Sequence, residues 1–140
     1  MKNIIMLSVL TGVLTLSGCT TMKDMAAMET NMEIGDSLTA PVTIQNGVLV
    51  SSFNSMTLYT FDKDTMNKSN CLGDCLKAWP ALVAPSNAQI SDQYTTIRRD
   101  DGTYQWAVSG KPLYFFVGDT QVGQMTGQGK GGVWRTVSGQ

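Results

Sequence analysis

The alternation of apolar and polar positions after residue 41 divides the chain into short segments typical of β-strands. Val42 to Gln45 and Val48 to Phe53 flank Asn46-Gly47, a two-residue hairpin signal. A third segment, Leu58 to Phe61, follows a turn, and a fourth carries Trp79. The pattern predicts four short strands in this part of the chain.

The same order of segments returns further along. Tyr94 to Arg99 and Tyr104 to Val108 flank Asp101-Gly102 as a second hairpin. Leu113 to Phe116 then follows, and a last strand carries Trp134. About eight strands in all, with regularly spaced turns, predict a mostly-β fold.

The two sets of segments match residue by residue at one offset of 55 positions. The matches are Asn46-Gly47 with Asp101-Gly102, Leu58-Tyr59 with Leu113-Tyr114, Phe61 with Phe116, Asp64-Thr65 with Asp119-Thr120, Trp79 with Trp134, and Leu82 with Val137. A register kept over so long a span indicates an internal duplication. We therefore predict one compact pseudo-twofold β domain over 42–140, built from tandem repeats at about 42–83 and about 97–138.

The copies differ between their third and fourth strands. The first has SNCLGDCLKA at 69–78, for which we expect one or two helical turns. The second has GQMTGQGKGG at 123–132, a glycine-rich loop. The helical insert is therefore predicted in repeat 1 alone.

The N-terminus has the features of an export signal. Residues 1–18 combine Lys2 with an apolar run too short to span a bilayer. Leu16-Ser17-Gly18-Cys19 resembles the bacterial lipobox, which implies cleavage before Cys19 and lipid attachment to it. Thr20, by resemblance to Gram-negative lipoproteins, favours the outer membrane. We expect a lipid-anchored protein of the bacterial cell envelope, with the membrane as its partner.

Residues 19–41 are polar, lack aromatic side chains, and are interpreted as a tether between the lipid and the domain. Four methionines stand out in this segment: Met22, Met25, Met28 and Met32. Thioethers are soft ligands that suit Cu(I), so a copper-collecting arm is an alternative to a plain spacer.

Charge and composition exclude several classes of function. The formal net charge is −1 and basic residues are scattered, which argues against nucleic-acid binding. The chain has no histidine, which removes Ser-His-Asp and Cys-His catalysis and histidine-liganded metals. Both glutamates, Glu29 and Glu33, lie in the tether. We expect a protein that is not an enzyme and needs no cofactor, copper being the alternative.

Cys71 and Cys75 are the thiols left after lipidation of Cys19. A cysteine pair in an oxidising envelope is expected to form a disulfide. A redox couple and a metal site are the other readings of the pair. At the offset of 55, the second copy has Thr126 and Lys130 at the positions that correspond to these cysteines. Thiol chemistry would therefore belong to the first copy alone.

The repeated aromatic and acidic side chains are the candidates for a ligand cleft. They are Tyr59, Phe61, Asp64, Trp79, Tyr114, Phe116, Asp119 and Trp134. The structural interpretation is that the rings form the core while each aspartate accepts backbone N–H groups and fixes a turn. The functional interpretation is an aromatic-lined cleft near the symmetry axis.

Tyr59-x-Phe61-x-x-Asp64 and Tyr114-x-Phe116-x-x-Asp119 match a Tyr-x-(Phe/Trp/Tyr)-x-x-Asp signature. On this motif, and on the shared order of Ser-Asn-Cys, Trp-Pro, Gly-Lys-Pro-Leu-Tyr and Gly-Val-Trp, the chain resembles a family of bacterial secreted-repeat lipoproteins. The resemblance implies an envelope location and a repeated domain, and it supplies no catalytic residues.

The leading hypothesis is a membrane-anchored envelope lipoprotein whose β domain binds or scaffolds an envelope protein or a small ligand. The alternative is soft-metal or thiol-redox handling by the methionine-rich tether with Cys71 and Cys75.

Overall fold

The structure is a computed structural model that describes residues 38–139. The predicted signal peptide, Cys19 and the four tether methionines lie outside these residues. The strands are β1 (Val42–Gln45), β2 (Val48–Ser51), β3 (Tyr59–Phe61), β4 (Val83–Ala84), β5 (Tyr94–Arg98), β6 (Tyr104–Val108), β7 (Lys111–Pro112) and β8 (Trp134–Thr136). Within the described residues, one short α-helix, α1 (Asp74–Ala78), precedes β4 and occupies the predicted insert, and a single 3-10 turn, Lys130–Gly132, precedes β8. The mostly-β prediction with a helical insert in repeat 1 is confirmed.

Each repeat begins with an antiparallel hairpin. In the first, β1 pairs with β2 around Asn46-Gly47, whose φ angles of 52° and 81° are those of a tight primed turn. In the second, β5 pairs with β6, placing Thr96 opposite Trp106. The hairpins supply one inward-facing row of apolar side chains per repeat.

The remaining strands cross between the repeats. Strand β8 of repeat 2 pairs with β3 of repeat 1, and β4 of repeat 1 pairs with β6 of repeat 2. At the centre, the backbones of Tyr59 and Tyr114 exchange two hydrogen bonds of 2.8 and 2.9 Å. The predicted pseudo-twofold arrangement is present, and each repeat is completed by a strand of the other.

The buried side chains form two clusters. The first is mainly aliphatic and includes Leu49, Leu58, Leu82, Trp106 and Leu113. The second is aromatic and contains the repeated tyrosines and tryptophans together with Cys71. The aliphatic cluster lies under the hairpins, and the aromatic cluster holds the repeated candidate residues.

The single offset of 55 does not extend to the hairpins. The N–H of Leu49 donates to the carbonyl of Val137, and the N–H of Trp106 donates to the carbonyl of Leu82. Because Val137 and Leu82 are matching positions of the two repeats, Leu49 and Trp106 are equivalent, although they are 57 positions apart. The segment between the paired residues Val50 and Thr57 in repeat 1 is two residues longer than the matching segment between Ala107 and Pro112 in repeat 2. The shift is not visible in the sequence, because Asn46-Gly47 and Asp101-Gly102 are themselves 55 positions apart.

Two predicted strands also differ from the structure. Leu113 to Phe116 is not a continuous strand: its bridges are the isolated ones at Tyr114, although Leu113 and Phe115 also donate backbone hydrogen bonds to Trp106 and Pro80. Trp79 ends α1 instead of lying in a strand, and β4 begins only at Val83. Pro80 explains the delay in part, since it has no N–H to donate to a neighbouring strand.

Candidate functional site

The repeated aromatic residues form a four-ring stack centred on the pseudo-twofold axis. Trp79 and Trp134 lie face to face, with ring centroids 3.7 Å apart and planes 5° from parallel. Phe116 stacks on Trp79 at 4.2 Å, and Phe61 stacks on Trp134 at 4.3 Å. Each tryptophan therefore contacts the phenylalanine of the other repeat.

The repeated tyrosines pack edge-on against this stack. Tyr59 meets Trp79 at 5.4 Å, and Tyr114 meets Trp134 at 5.2 Å, with ring planes near perpendicular. Such T-shaped contacts are favoured by the aromatic quadrupole. Both tyrosines are fully buried, so their hydroxyl groups need internal partners.

Those partners are the repeated aspartates, and the pairing crosses between the repeats. The Tyr59 hydroxyl donates to Oδ2 of Asp119 at 2.6 Å, and the Tyr114 hydroxyl donates to Oδ2 of Asp64 at 2.7 Å. Neither tyrosine bonds the aspartate of its own motif. The signature Tyr-x-Phe-x-x-Asp thus describes two half-sites, each completed by the other copy.

The second oxygen of each aspartate fixes the loop that follows it. Oδ1 of Asp64 accepts the backbone N–H of Asn70 at 2.6 Å. Oδ1 of Asp119 accepts the backbone N–H of Thr126 at 2.9 Å and also its hydroxyl. The structure thus brings all eight predicted residues together, with the rings packed on one another and the carboxylates bonded to tyrosines and loops.

Burial shifts the proton equilibria of these groups. The pKa values of Tyr59 and Tyr114 are raised well above the ordinary 10.0, first by burial and further by the bonded carboxylates. Burial likewise raises the pKa of Asp64 above 3.8, although its hydrogen bonds from Asn70 and Tyr114 oppose the shift. Both phenols therefore stay protonated and act as donors throughout the neutral range.

A buried arginine distinguishes the first half-site. Arg99 is only 6% exposed and donates to the Ser69 hydroxyl at 2.8 Å and to the Cys71 carbonyl at 2.6 Å. Ser69 lies 2.6 Å from the Tyr114 hydroxyl and must donate to it, because the Tyr114 proton is committed to Asp64. A chain of hydrogen bonds therefore runs from Arg99 to Asp64.

Sequence reasoning missed Arg99 and Ser69. One signal was available: Arg99 is two positions after the buried Ile97, so strand alternation places it on the inward side. Its other partner is Gln105 of the neighbouring strand, which is also buried. A buried arginine of this kind needs several acceptors, and the pattern of one strand could not supply them.

The second half-site uses a glycine where the first uses Ser69. The N–H of Gly127 donates to the Tyr59 hydroxyl at 3.2 Å. A Cβ at this position would lie 2.7 Å from the Trp79 ring and 2.9 Å from the Tyr59 ring. The close approach of this backbone to the stack explains why the loop has no side chain here.

The cysteines lie beside Arg99 in the first half-site. Their Sγ atoms are 1.95 Å apart, within bonding distance, and their Cα atoms are 5.2 Å apart. Gly73, between them, has a φ of 55°, which favours glycine. Bonded to each other, the two sulphur atoms are not free thiolate ligands for a metal ion.

Two clefts open at the ends of the stack, and they are pseudo-symmetric. The first, which we call the Phe116 cleft, has a volume of about 390 Å³ and is lined by residues including Met56, Phe115, Phe116, Val117 and Asp119. The second, the Phe61 cleft, has about 240 Å³ and is lined by residues including Thr60, Phe61, Asp62, Asp64 and Lys111. The phenylalanine and aspartate of one motif line each cleft.

A third cavity, of about 380 Å³, adjoins the Phe61 cleft and shares Thr60, Asp62 and Lys111 with it, but none of the eight repeated residues lines it. Its lining includes Asp62 and Arg135, which already form an ion pair at 3.1 Å. Between residues 38 and 139, no three acidic or cysteine side chains converge as a metal site requires. The methionine set proposed for copper lies outside that range.

Comparison with known proteins identifies a family. The sequence model of a family described as a secreted repeat of unknown function matches the chain twice, over residues 41–83 and 95–138. No curated protein and no solved structure matches the chain. In the part that the structure describes, no helix is both long and apolar enough to cross a membrane. The two matches cover more than half of the sequence and confirm both the resemblance and the tandem duplication, and the chain belongs to this family of secreted repeats.

Proposed function

We propose that the protein is a lipid-anchored envelope lipoprotein whose β domain is a non-catalytic binding module. The observation that carries the binding role is the pair of clefts, each lined by the phenylalanine and aspartate of one motif. The Phe116 cleft is within the size range of small-ligand sites. In this proposal the cross-bonded tyrosines and stacked tryptophans form the rigid frame, and the clefts at its ends bind the partner.

Anchoring is tested separately from binding. Cells producing the full chain and its Cys19→Ala variant are fed a tagged fatty acid and fractionated. The proposal expects label and membrane retention for the wild type and neither for the variant. Label on the C19A protein would refute attachment at this cysteine.

Binding is tested by placing a photo-crosslinking amino acid at one cleft position at a time in the full chain. Val117 samples the Phe116 cleft and Met66 samples the Phe61 cleft; Ile90, of similar exposure and outside both, is the control. Crosslinks to an envelope component from position 117 or 66, but not from 90, are expected. Equal yields at all three, or none at the two cleft positions, would sink the binding role.

A further inference from the structure

The two clefts differ in how the carboxylate at each is neutralised. Asp64, in the Phe61 cleft, is joined through Tyr114 and Ser69 to the buried Arg99. Asp119, in the Phe116 cleft, is only 7% exposed and accepts hydrogen bonds from neutral groups alone, those of Tyr59 and Thr126. Within residues 38–139, no ion pair involves Asp119. A buried carboxylate without a cation is costly unless something pairs with it.

The Phe116 cleft also has an uncharged residue at the position where the Phe61 cleft has a lysine. Lys111 and Met56 are equivalent, because each precedes the residue that pairs with the neighbouring strand, Pro112 with Ala107 and Thr57 with Val50. Lys111 lines the Phe61 cleft and Met56 lines the Phe116 cleft. The same position of the repeat therefore holds a lysine at the Phe61 cleft and an uncharged methionine at the Phe116 cleft.

The rest of the Phe116 cleft suits the apolar part of a ligand. Its walls include Phe115, Phe116 and the exposed side chain of Val117. One face of the Phe116 ring is covered by Trp79, and Nζ of Lys130 lies over the ring, 5.2 Å from its centroid, so the ring offers the ligand its edge. Asp119 beside these apolar walls attracts an ammonium group, while the walls bury the apolar body attached to it.

We propose that the Phe116 cleft binds an organic cation, an ammonium group on an apolar body, whose charge pairs with Asp119 while its body packs against Phe115 and Phe116. The inference rests on the proposed binding role and names the ligand class of one cleft. The ligand supplies at Asp119 the positive charge that Arg99 supplies to Asp64 through Ser69 and Tyr114.

The test uses the full chain as the cell processes it, purified in non-ionic detergent, with phenethylammonium as probe and neutral 2-phenylethanol as its match. Calorimetry or equilibrium dialysis measures both dissociation constants. Phenethylammonium is expected to bind about tenfold more tightly or better, as for a hydrogen bond to a charged group. Equal affinity for the two probes would overturn the proposal.

Met56→Lys introduces the cation of the other cleft and is expected to reduce phenethylammonium affinity to that of 2-phenylethanol. Val117→Lys, at a more exposed position, repeats the test should the first variant fold poorly. Ile90→Lys makes the same charge change elsewhere and is expected to bind as the wild type does. Unchanged affinity in both cleft variants would place the probe elsewhere and refute the assignment.

The probe experiment and the crosslinking experiment can fail independently of each other. Crosslinks from position 117 without phenethylammonium binding would overturn the cation assignment and leave a binding module. Absence of crosslinks from positions 117 and 66 would sink the proposed function, whatever the probe does.

Discussion

The indole rings of Trp79 and Trp134 lie face to face across the pseudo-twofold axis, with centroids 3.7 Å apart. Each ring carries on its other side the phenylalanine of the opposite repeat. The stack therefore belongs to both repeats at once, and it ends at the two clefts. Replacing either tryptophan is therefore expected to alter the packing at both the Phe61 cleft and the Phe116 cleft.

Stacked indoles give a spectroscopic prediction. Two face-to-face rings at this distance couple their electronic transitions. With the two rings rotated relative to each other within their planes, this coupling is expected to appear as an exciton couplet in the far-ultraviolet circular dichroism spectrum. Trp79→Phe or Trp134→Phe should abolish the couplet. Trp106→Phe is the matched control, because Trp106 is equally buried but belongs to the aliphatic cluster. Loss of the couplet in W106F instead would contradict the stack.

The crossed hydrogen bonds predict a specific pattern of energetic coupling. Tyr59→Phe leaves the buried Asp119 with one donor fewer and is expected to lower the free energy of unfolding by about 1–3 kcal/mol. Combined with Asp119→Asn, its effect should be less than additive by about 1 kcal/mol. Urea denaturation of the single and double variants measures both quantities.

The control cycle pairs Tyr59→Phe with Asp64→Asn, the aspartate of the same motif. These residues share no hydrogen bond, so their effects should add to within about 0.5 kcal/mol. Strong coupling within the motif, with none between Tyr59 and Asp119, would show that each repeat closes on itself.

The sequence predicted which residues meet but not how they pair. A constant offset identified Tyr59, Asp64 and their copies, and strand alternation placed the rings on one face. Whether Tyr59 bonds Asp64 or Asp119 depends on which strands of the two repeats lie side by side. That choice rests on contacts 60 residues apart along the chain, and local patterning carries no information about it.

The buried phenols predict loss of stability in alkali. Their folded pKa values lie above the 10.0 of the unfolded chain, so their contribution is complete below about pH 10 and declines as pH rises beyond it. The slope is about 1.4 kcal/mol per pH unit for each tyrosine. Urea denaturation at several alkaline pH values measures this slope. Tyr59→Phe should remove one tyrosine's share, and an unchanged slope would contradict burial of this phenol.

The disulfide predicts a modest, local stabilisation. Replacing Cys71 and Cys75 with serine is expected to lower the free energy of unfolding by about 2 kcal/mol, as loop entropy gives for so short a ring. Mass spectrometry of the unreduced protein should find both sulphur atoms oxidised. Leu72→Ala, exposed in the same loop, should change stability by less than about 0.5 kcal/mol. Free thiols in protein taken from the envelope would contradict the bond.

The alternation of buried and exposed positions along the sequence predicts that Arg99 is buried, but it does not predict the groups to which Arg99 donates. Alternation from Ile97 places it inward, yet its acceptors come from two other segments: a serine hydroxyl and a cysteine carbonyl in the insert of repeat 1, and a glutamine amide in the hairpin of repeat 2. These groups converge only once the insert of repeat 1 folds over the hairpin of repeat 2. The charge balance of the clefts follows from this convergence.

The crossed Tyr–Asp bonds have a consequence for how the two halves can change. Two identical copies associating as a separate homodimer would carry every substitution twice, on both sides of the axis. Joined in one chain, the halves can diverge singly while the shared bonds of Tyr59 with Asp119 and Tyr114 with Asp64 hold the frame. Covalent fusion thus permits one side to gain a buried arginine and a disulfide and the other to stay open and apolar.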